Sequence, residues 1–255
     1  MTCTTRIKTT VQNLSLTLKG HLKMSLFLFG LFQAGLSADL SELVEKYASD
    51  KGCYSEETHC YTSYYETIFS GLRQKELKIL EIGVAYGGSI RMWLDYFPNS
   101  SIYGVDLFPD CLNIDNFEAY QFPANRVQLF KGSQNDPVFL KAVCEKIDGD
   151  LDIIIDDGSH LFYDQQVSLV HLFSKLKSGG LYIIEDFHCR PCEEHGVLDT
   201  RVLLRQIANN NSSVIQDCPY LSRQSVLDLL SSVDTIEWFD SAGFGKMNGA
   251  VIWKK

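Results

Sequence analysis

Leu151-Asp152-Ile153-Ile154-Ile155-Asp156-Asp157-Gly158-Ser159-His160 and, a helix-length pattern later, Gly180-Leu181-Tyr182-Ile183-Ile184-Glu185-Asp186 are the stretches that decide the fold. Each is an apolar, β-branched run that ends in two carboxylates. Such runs, separated by a helical pattern, read as buried parallel strands. Parallel neighbours bring their carboxyl ends to one rim, the side on which open α/β sheets bind ligands. Asp157, Glu185 and Asp186 are therefore expected to converge, with His160 one turn further on. Carboxylates packed together repel unless a cation lies among them, and hard oxygen ligands suit Mg²⁺, Ca²⁺ or Mn²⁺. A metal beside a histidine base is a site suited to deprotonating an oxygen.

Working outward, the rest of the chain alternates in the same way. Leu40 to Tyr47 is apolar at helical spacing, and a longer helical pattern runs from Tyr54 to Arg73. Strands are expected at Leu77 to Val84, Ser101 to Leu107 and Val127 to Gly132, with helices from Gly88 to Tyr96, Pro137 to Ile147 and Tyr163 to Leu176. Helices around Val197 to Asn209 and Arg223 to Ser232 follow. The tail reads as two strands, Asp234 to Asp240 and Ala250 to Lys254, joined by a glycine-rich turn. Alternating β and α units closed by a hairpin make an α/β fold: a doubly wound, mostly parallel, Rossmann-like sheet with an antiparallel C-terminal hairpin.

The totals suit this reading. In 255 residues, 45% hydrophobic and 22% charged, there is ample material for one globular core. A net charge of −9 argues against a nucleic-acid partner, because phosphate binding needs a basic surface. A small neutral or cationic substrate fits better. Eight cysteines are too few for a disulfide scaffold, so they read as buried thiols in a reducing compartment. Cys189-Arg190-Pro191-Cys192 lacks the second ligand pair that a zinc site needs, and reads as a loop.

Residues 1–38 differ in character from residues 39–255. Lys19, His21 and Lys23 precede the apolar Met24 to Phe32, and small residues close the run. That is the layout of a secretory signal, too short to span a bilayer comfortably. An amphipathic lead-in helix and a true start at Met24 are alternatives. A cytoplasmic location is expected, with weak membrane association through this segment and homo-oligomerisation left open.

After the first strand comes Glu81-Ile82-Gly83-Val84-Ala85-Tyr86-Gly87-Gly88-Ser89. Glycines at the first βα turn let backbone approach a ligand at a helix N-terminus. The dinucleotide fingerprint would need glycine where Ala85 stands, which disfavours a pyrophosphate cofactor. Asp106, 23 residues after Gly83, ends the second strand where a carboxylate can accept hydrogen bonds from a ribose. S-adenosylmethionine fits: a ribose, an adenine and a cationic sulfonium for an acidic pocket. Gly83, Gly87, Gly88 and Ser89 would lie along it, Glu81 at its methionine end, and Ser133 and Gln134 by the adenine. The plain structural alternatives are a tight turn, a helix-capping Asp106, strand-end carboxylates capping the next helices, and core tyrosines at positions 61, 64 and 65.

These residues form a pattern. Glu45-Lys46-Tyr47, Asp50-Lys51-Gly52, His59, Tyr61 and Tyr65-Glu66 come first, then Ile79 to Val84 with Gly87-Gly88-Ser89, Trp93 and Tyr96-Phe97-Pro98. Ile154 to His160, Gln166 and Gly179 to Asp186 complete it. From Glu45 to Asp186 the chain resembles the metal-dependent macrolide sugar O-methyltransferases of the mycinamicin VI and demethylmacrocin type. The resemblance implies an S-adenosylmethionine-dependent O-methyltransferase acting on a sugar hydroxyl or a similar small acceptor with vicinal oxygens. It implies Mg²⁺ on Asp157, Glu185 and Asp186, and His160 as base. Two other classes stay open: a metal-dependent hydroxylase-like relative of the cephalosporin-associated proteins, and a non-catalytic protein that binds an adenosine ligand.

Overall fold

A computed structural model describes residues 38–53, 59–108, 122–187, 195–241 and 245–255, and all of these except Ala38 belong to the compact unit Asp39–Lys255. The signal-like segment, Cys3, Cys111 and the Cys189/Cys192 pair lie outside the described residues. Helices α1 (Leu40–Tyr47) and α2 (Thr62–Phe69) precede β1 (Lys78–Ile82), α3 (Gly88–Tyr96), β2 (Ser101–Asp106) and β3 (Val127–Lys131). Then come α4 (Pro137–Lys146), β4 (Leu151–Asp156), α5 (Phe162–Leu172) and β5 (Leu176–Ile184). The chain ends with α6 (Thr200–Ala208), the short α7 (Val214–Asp217), α8 (Arg223–Ser232), β6 (Val233–Ser241) and β7 (Gly245–Lys254).

Local chemistry explains several boundaries. Asp39 caps α1 by accepting from the Glu42 amide at 2.9 Å, and Asp136 caps α4 ahead of a proline in its first turn. The long helix expected from Tyr54 shortens to α2 and a 3₁₀ turn over Ser70–Leu72, because Lys51 and its neighbours hold the segment before it in a different pairing. Residues 54–58 are outside the described set.

The seven strands form one sheet in the order β3-β2-β1-β4-β5-β7-β6. The first five are parallel; β7 runs antiparallel to both β5 and β6. Ile153, Ile154 and Ile155 are all at most 1% exposed, so both faces of β4 are covered, as parallel strands require. Chain order reverses between β1 and β4, which makes the gap above them the switch point of the sheet. Register then sets the site: Ile82 pairs with Val105 on one side and Asp156 on the other, and Asp156 pairs with Ile184. The residues just beyond these ends are Gly83, Asp106, Asp157 and Glu185, and they stand side by side. Among the described residues no helix is long and apolar enough to cross a membrane.

Candidate active site

Two adjoining cavities open over the switch point, of about 160 and 340 Å³, sharing Gly83, Asp106 and Gly158. The smaller is lined by Asp106, Ser133 and Gln134, the larger by Gly88, Ser89, Asp157 and His160. The predicted cofactor residues thus fall on one continuous hollow, except Glu81 and Gly87.

Their roles are more structural than the sequence suggests. One oxygen of Asp106 accepts from the amides of Val84 (2.8 Å) and Ala85 (2.9 Å), the other from Phe108 (2.8 Å), so the carboxylate shapes the glycine turn while facing both cavities. Gln134 braces the floor: its amide donates to Asp156 at 3.0 Å and its oxygen accepts from the Ser159 amide at 2.7 Å. Glu81 is fully buried, held by Ser89 (2.8 Å) and Trp93 (3.3 Å), and lines neither cavity. Burial pushes its carboxyl up to about 7, against the pull of nearby Lys51. Gly87 adopts a left-handed φ of 74° as the N-cap of α3. Gly83, at φ 87°, is required by the protein itself, since a Cβ there would lie 1.8 Å from the Asp157 carbonyl oxygen.

The carboxylates of each acidic pair turn to different partners. Asp156 points inward and accepts from Gln134, Ser168 and Tyr182. Burial raises its carboxyl to about 6 despite those hydrogen bonds. Asp157 faces the larger cavity. Glu185 likewise turns inward, to the Tyr65 hydroxyl and to Lys51 Nζ at 2.9 Å, while Asp186 accepts from the Tyr61 hydroxyl. Asn248 donates to that same hydroxyl at 2.8 Å, fixing its direction. Burial, then the adjoining carboxylates, raise both tyrosines, so both stay protonated donors.

Asp157, His160 and Asp186 offer one ligand atom each within 4.8 Å of one another. His160 and Asp186 hold left-handed backbone, at φ 61° and 59°, a conformation that costs non-glycine residues energy and is retained where the fold needs the side chain aimed. His160 Nδ1 is buried with no hydrogen-bond partner, a coordination or proton-accepting position left open. The donor set suits a hard divalent cation. Three of the four predicted residues gather there; the fourth, Glu185, is not in that group and has its oxygens on Tyr65 and Lys51.

Sequence reasoning gave Lys51, Tyr61 and Tyr65 no contact with the carboxylates. The tyrosines are core, as the plain reading held, but their hydroxyls also anchor the carboxylates. Lys51 is fully buried, with Nζ 2.5 Å from Asp157. Its neighbourhood depends on a pairing of backbone: Asp50, Lys51 and Gly52 carbonyls accept from His59, Tyr61 and Cys60 amides at 2.7 to 2.8 Å. That pairing brings Cys53 and Cys60 to a Cα separation of 4.4 Å, and they form a disulfide. The expectation of reduced thiols throughout therefore fails at this pair. Cys144 and Cys218 are free. His59 has Nδ1 3.5 Å from Asp186 and its ring stacked on Tyr61.

A family described as a methyltransferase domain matches residues 80–187. A tetracenomycin-C rhamnosyl 3'-O-methyltransferase of Streptomyces olivaceus is 37% identical over 166 residues, 62% of this chain and 39% of that protein. The mycinamicin VI 2''-O-methyltransferase of Micromonospora griseorubida is 37% identical over 155 residues, 58% of this chain and 36% of its own length. Among solved structures, the mycinamycin-pathway methyltransferase MycE in complex with Mg and SAH aligns with a TM-score of 0.64 at 28% identity, covering 86% of this chain and 55% of the other. The chain thus spans well under half the length of these curated relatives. Over the matched residues it is similar to the macrolide and tetracenomycin sugar O-methyltransferases.

Proposed function

We propose that this chain transfers a methyl group from S-adenosylmethionine to a hydroxyl of a sugar, or of a similar small acceptor with vicinal oxygens, with Mg²⁺ as cofactor. The observation that carries the proposal is the meeting of Asp157, His160 and Asp186 beside the hollow lined by Gly83 and Asp106. Relatives named for O-methylation of rhamnosyl and macrolide substrates point the same way. Gly83, Gly87, Gly88 and Ser89 would frame the cofactor, Asp106 its ribose, and Ser133 and Gln134 its adenine. Glu81 contributes from beneath by holding Ser89.

Asp157 and Asp186 would hold the cation, with Glu185 behind them. When bound there, Mg²⁺ would polarise the acceptor's oxygens and lower the pKa of the hydroxyl. His160 takes the hydroxyl proton. The O–C bond then forms as the S–C bond of the sulfonium breaks, releasing S-adenosylhomocysteine. Tyr61 and Tyr65 keep Asp186 and Glu185 aimed throughout. Holding both reactants in line can supply about 7 to 11 kcal/mol of the barrier reduction.

The catalytic domain of this proposal begins at Asp39. The test is calorimetric titration with S-adenosylhomocysteine, then transfer of labelled methyl to a panel of glycosides with Mg²⁺ or with EDTA. Binding with Mg²⁺-dependent labelling is expected. Full-rate labelling in EDTA would reduce the carboxylates to a structural role, and an acceptor that gains oxygen instead of methyl would place the chain in another class.

A further inference from the structure

Lys51 is a cation already seated among the carboxylates. Its ammonium is 2.5 Å from Asp157, 2.9 Å from Glu185 and 3.7 Å from Glu81, and the residue is 0% exposed. The ammonium donates to Asp157 and Glu185, and Glu81 lies within ion-pair distance. Its backbone is equally constrained, with its carbonyl accepting from the amides of Tyr61 (2.8 Å) and Thr62 (3.1 Å) and the Cys53–Cys60 link beside it. Glu185, with Tyr65 on one oxygen and Lys51 on the other, has both oxygens engaged.

We propose that Lys51 is a fixed internal counter-cation that neutralises the inner carboxylates, lets the cluster fold without metal, and holds down the divalent-ion affinity of Asp157 and Asp186. This rests on the function proposed above. The physical reason is charge. A divalent ion held by Asp157 and Asp186 is repelled by a positive group hydrogen-bonded to one of its own ligands. Without Lys51 the same ion would meet uncompensated Glu185 and Glu81. A modest affinity in the free enzyme leaves the ion's coordination to be completed by the oxygens of the acceptor, which ties metal retention to substrate binding.

Lys51→Met, similar in length and uncharged, tests this with Mn²⁺ titration followed by electron paramagnetic resonance on the whole chain. Wild type should bind Mn²⁺, and the variant should bind it at least ten-fold more tightly, since one unit charge a few ångströms from a divalent ion repels it appreciably even in high dielectric. The metal-free variant should melt at a lower temperature than wild type, with a larger upward shift on adding Mn²⁺. Equal or weaker Mn²⁺ binding by the folded variant overturns the proposal. If wild type itself binds no Mn²⁺, it is the metal-dependent function that fails. Should Lys51→Met not fold, Lys51→Met with Glu81→Gln removes one charge of each sign; it should fold and still bind Mn²⁺ at least three-fold more tightly than wild type, and looser binding overturns the proposal equally.

Discussion

Gly83→Ala is the substitution whose consequence the structure determines most directly. The added Cβ would lie 1.8 Å from the Asp157 carbonyl oxygen and 2.5 Å from its carbonyl carbon, both backbone atoms. No rotamer change relieves that; ordinary contact at 3.4 Å requires the two backbones to part by about 1.6 Å. Both are pinned, Gly83 through its amide to Val105 at 2.8 Å and Asp157 through its amide to Ile82 at 2.9 Å. A left-handed φ adds about 1 to 2 kcal/mol for a residue with a Cβ. Loss of one of the pinning hydrogen bonds adds about 0.5 to 1.5 kcal/mol, so the total is about 2 to 4 kcal/mol with the residual strain counted in. Gly179→Ala is the control: its φ is 75°, with nothing within 4 Å of a Cβ, so it should show the conformational cost alone. Urea denaturation of both variants measures the difference, and Mn²⁺ titration of Gly83→Ala should show weakened metal binding because Asp157 has been displaced. If Gly83→Ala costs no more than Gly179→Ala and loses only S-adenosylhomocysteine affinity, the glycine serves the ligand and the packing argument is wrong.

His160→Ala should lower kcat by about 10² to 10⁴-fold if the imidazole accepts the proton; a loss that excess Mg²⁺ restores in full would make it a metal ligand instead, as its place in the cluster also allows. Glu81 predicts a pH dependence. Its carboxyl is raised from the ordinary 4.5 to about 7 by burial, so the native state binds the proton more tightly than the unfolded chain. Its contribution to stability is therefore fullest below 4.5 and is lost as pH rises towards 7. Denaturation of wild type and Glu81→Gln should give a stability difference that shifts against wild type across that window and is flat above it; parallel curves would refute the assignment. Cys53 and Cys60 are seven residues apart, and chain entropy alone assigns such a loop about 2 to 3 kcal/mol. Cys53→Ser with Cys60→Ser should lower stability by that amount in denaturant titration, and no change would mean that the backbone pairing suffices.

The alternation of apolar strands with amphipathic helices was legible in the sequence, because strand and helix periods are local properties of the chain. So was the gathering of Gly83, Asp106, Asp157 and Asp186 on one rim, since parallel strands of similar length must end together. Helices α3 and α8 fall where periodicity placed them, at Gly88–Tyr96 and Arg223–Ser232. What periodicity could not reach is which way each acidic side chain turns. Asp156 and Glu185 face inward because Ser168, Tyr182, Tyr65 and Lys51 wait there, on elements far along the chain. Lys51 is 106 residues from Asp157 and 134 from Glu185, and nothing local in Asp50-Lys51-Gly52 announces that its ammonium is buried. The disulfide was hidden for the same reason: it depends on backbone pairing between residues 50–52 and 59–61, which follows no period. Sequence alone determined the sheet, its functional rim and the kinds of groups on it. Tertiary structure decided which partner each carboxylate meets, because charge pairing depends on distances that only the folded chain creates.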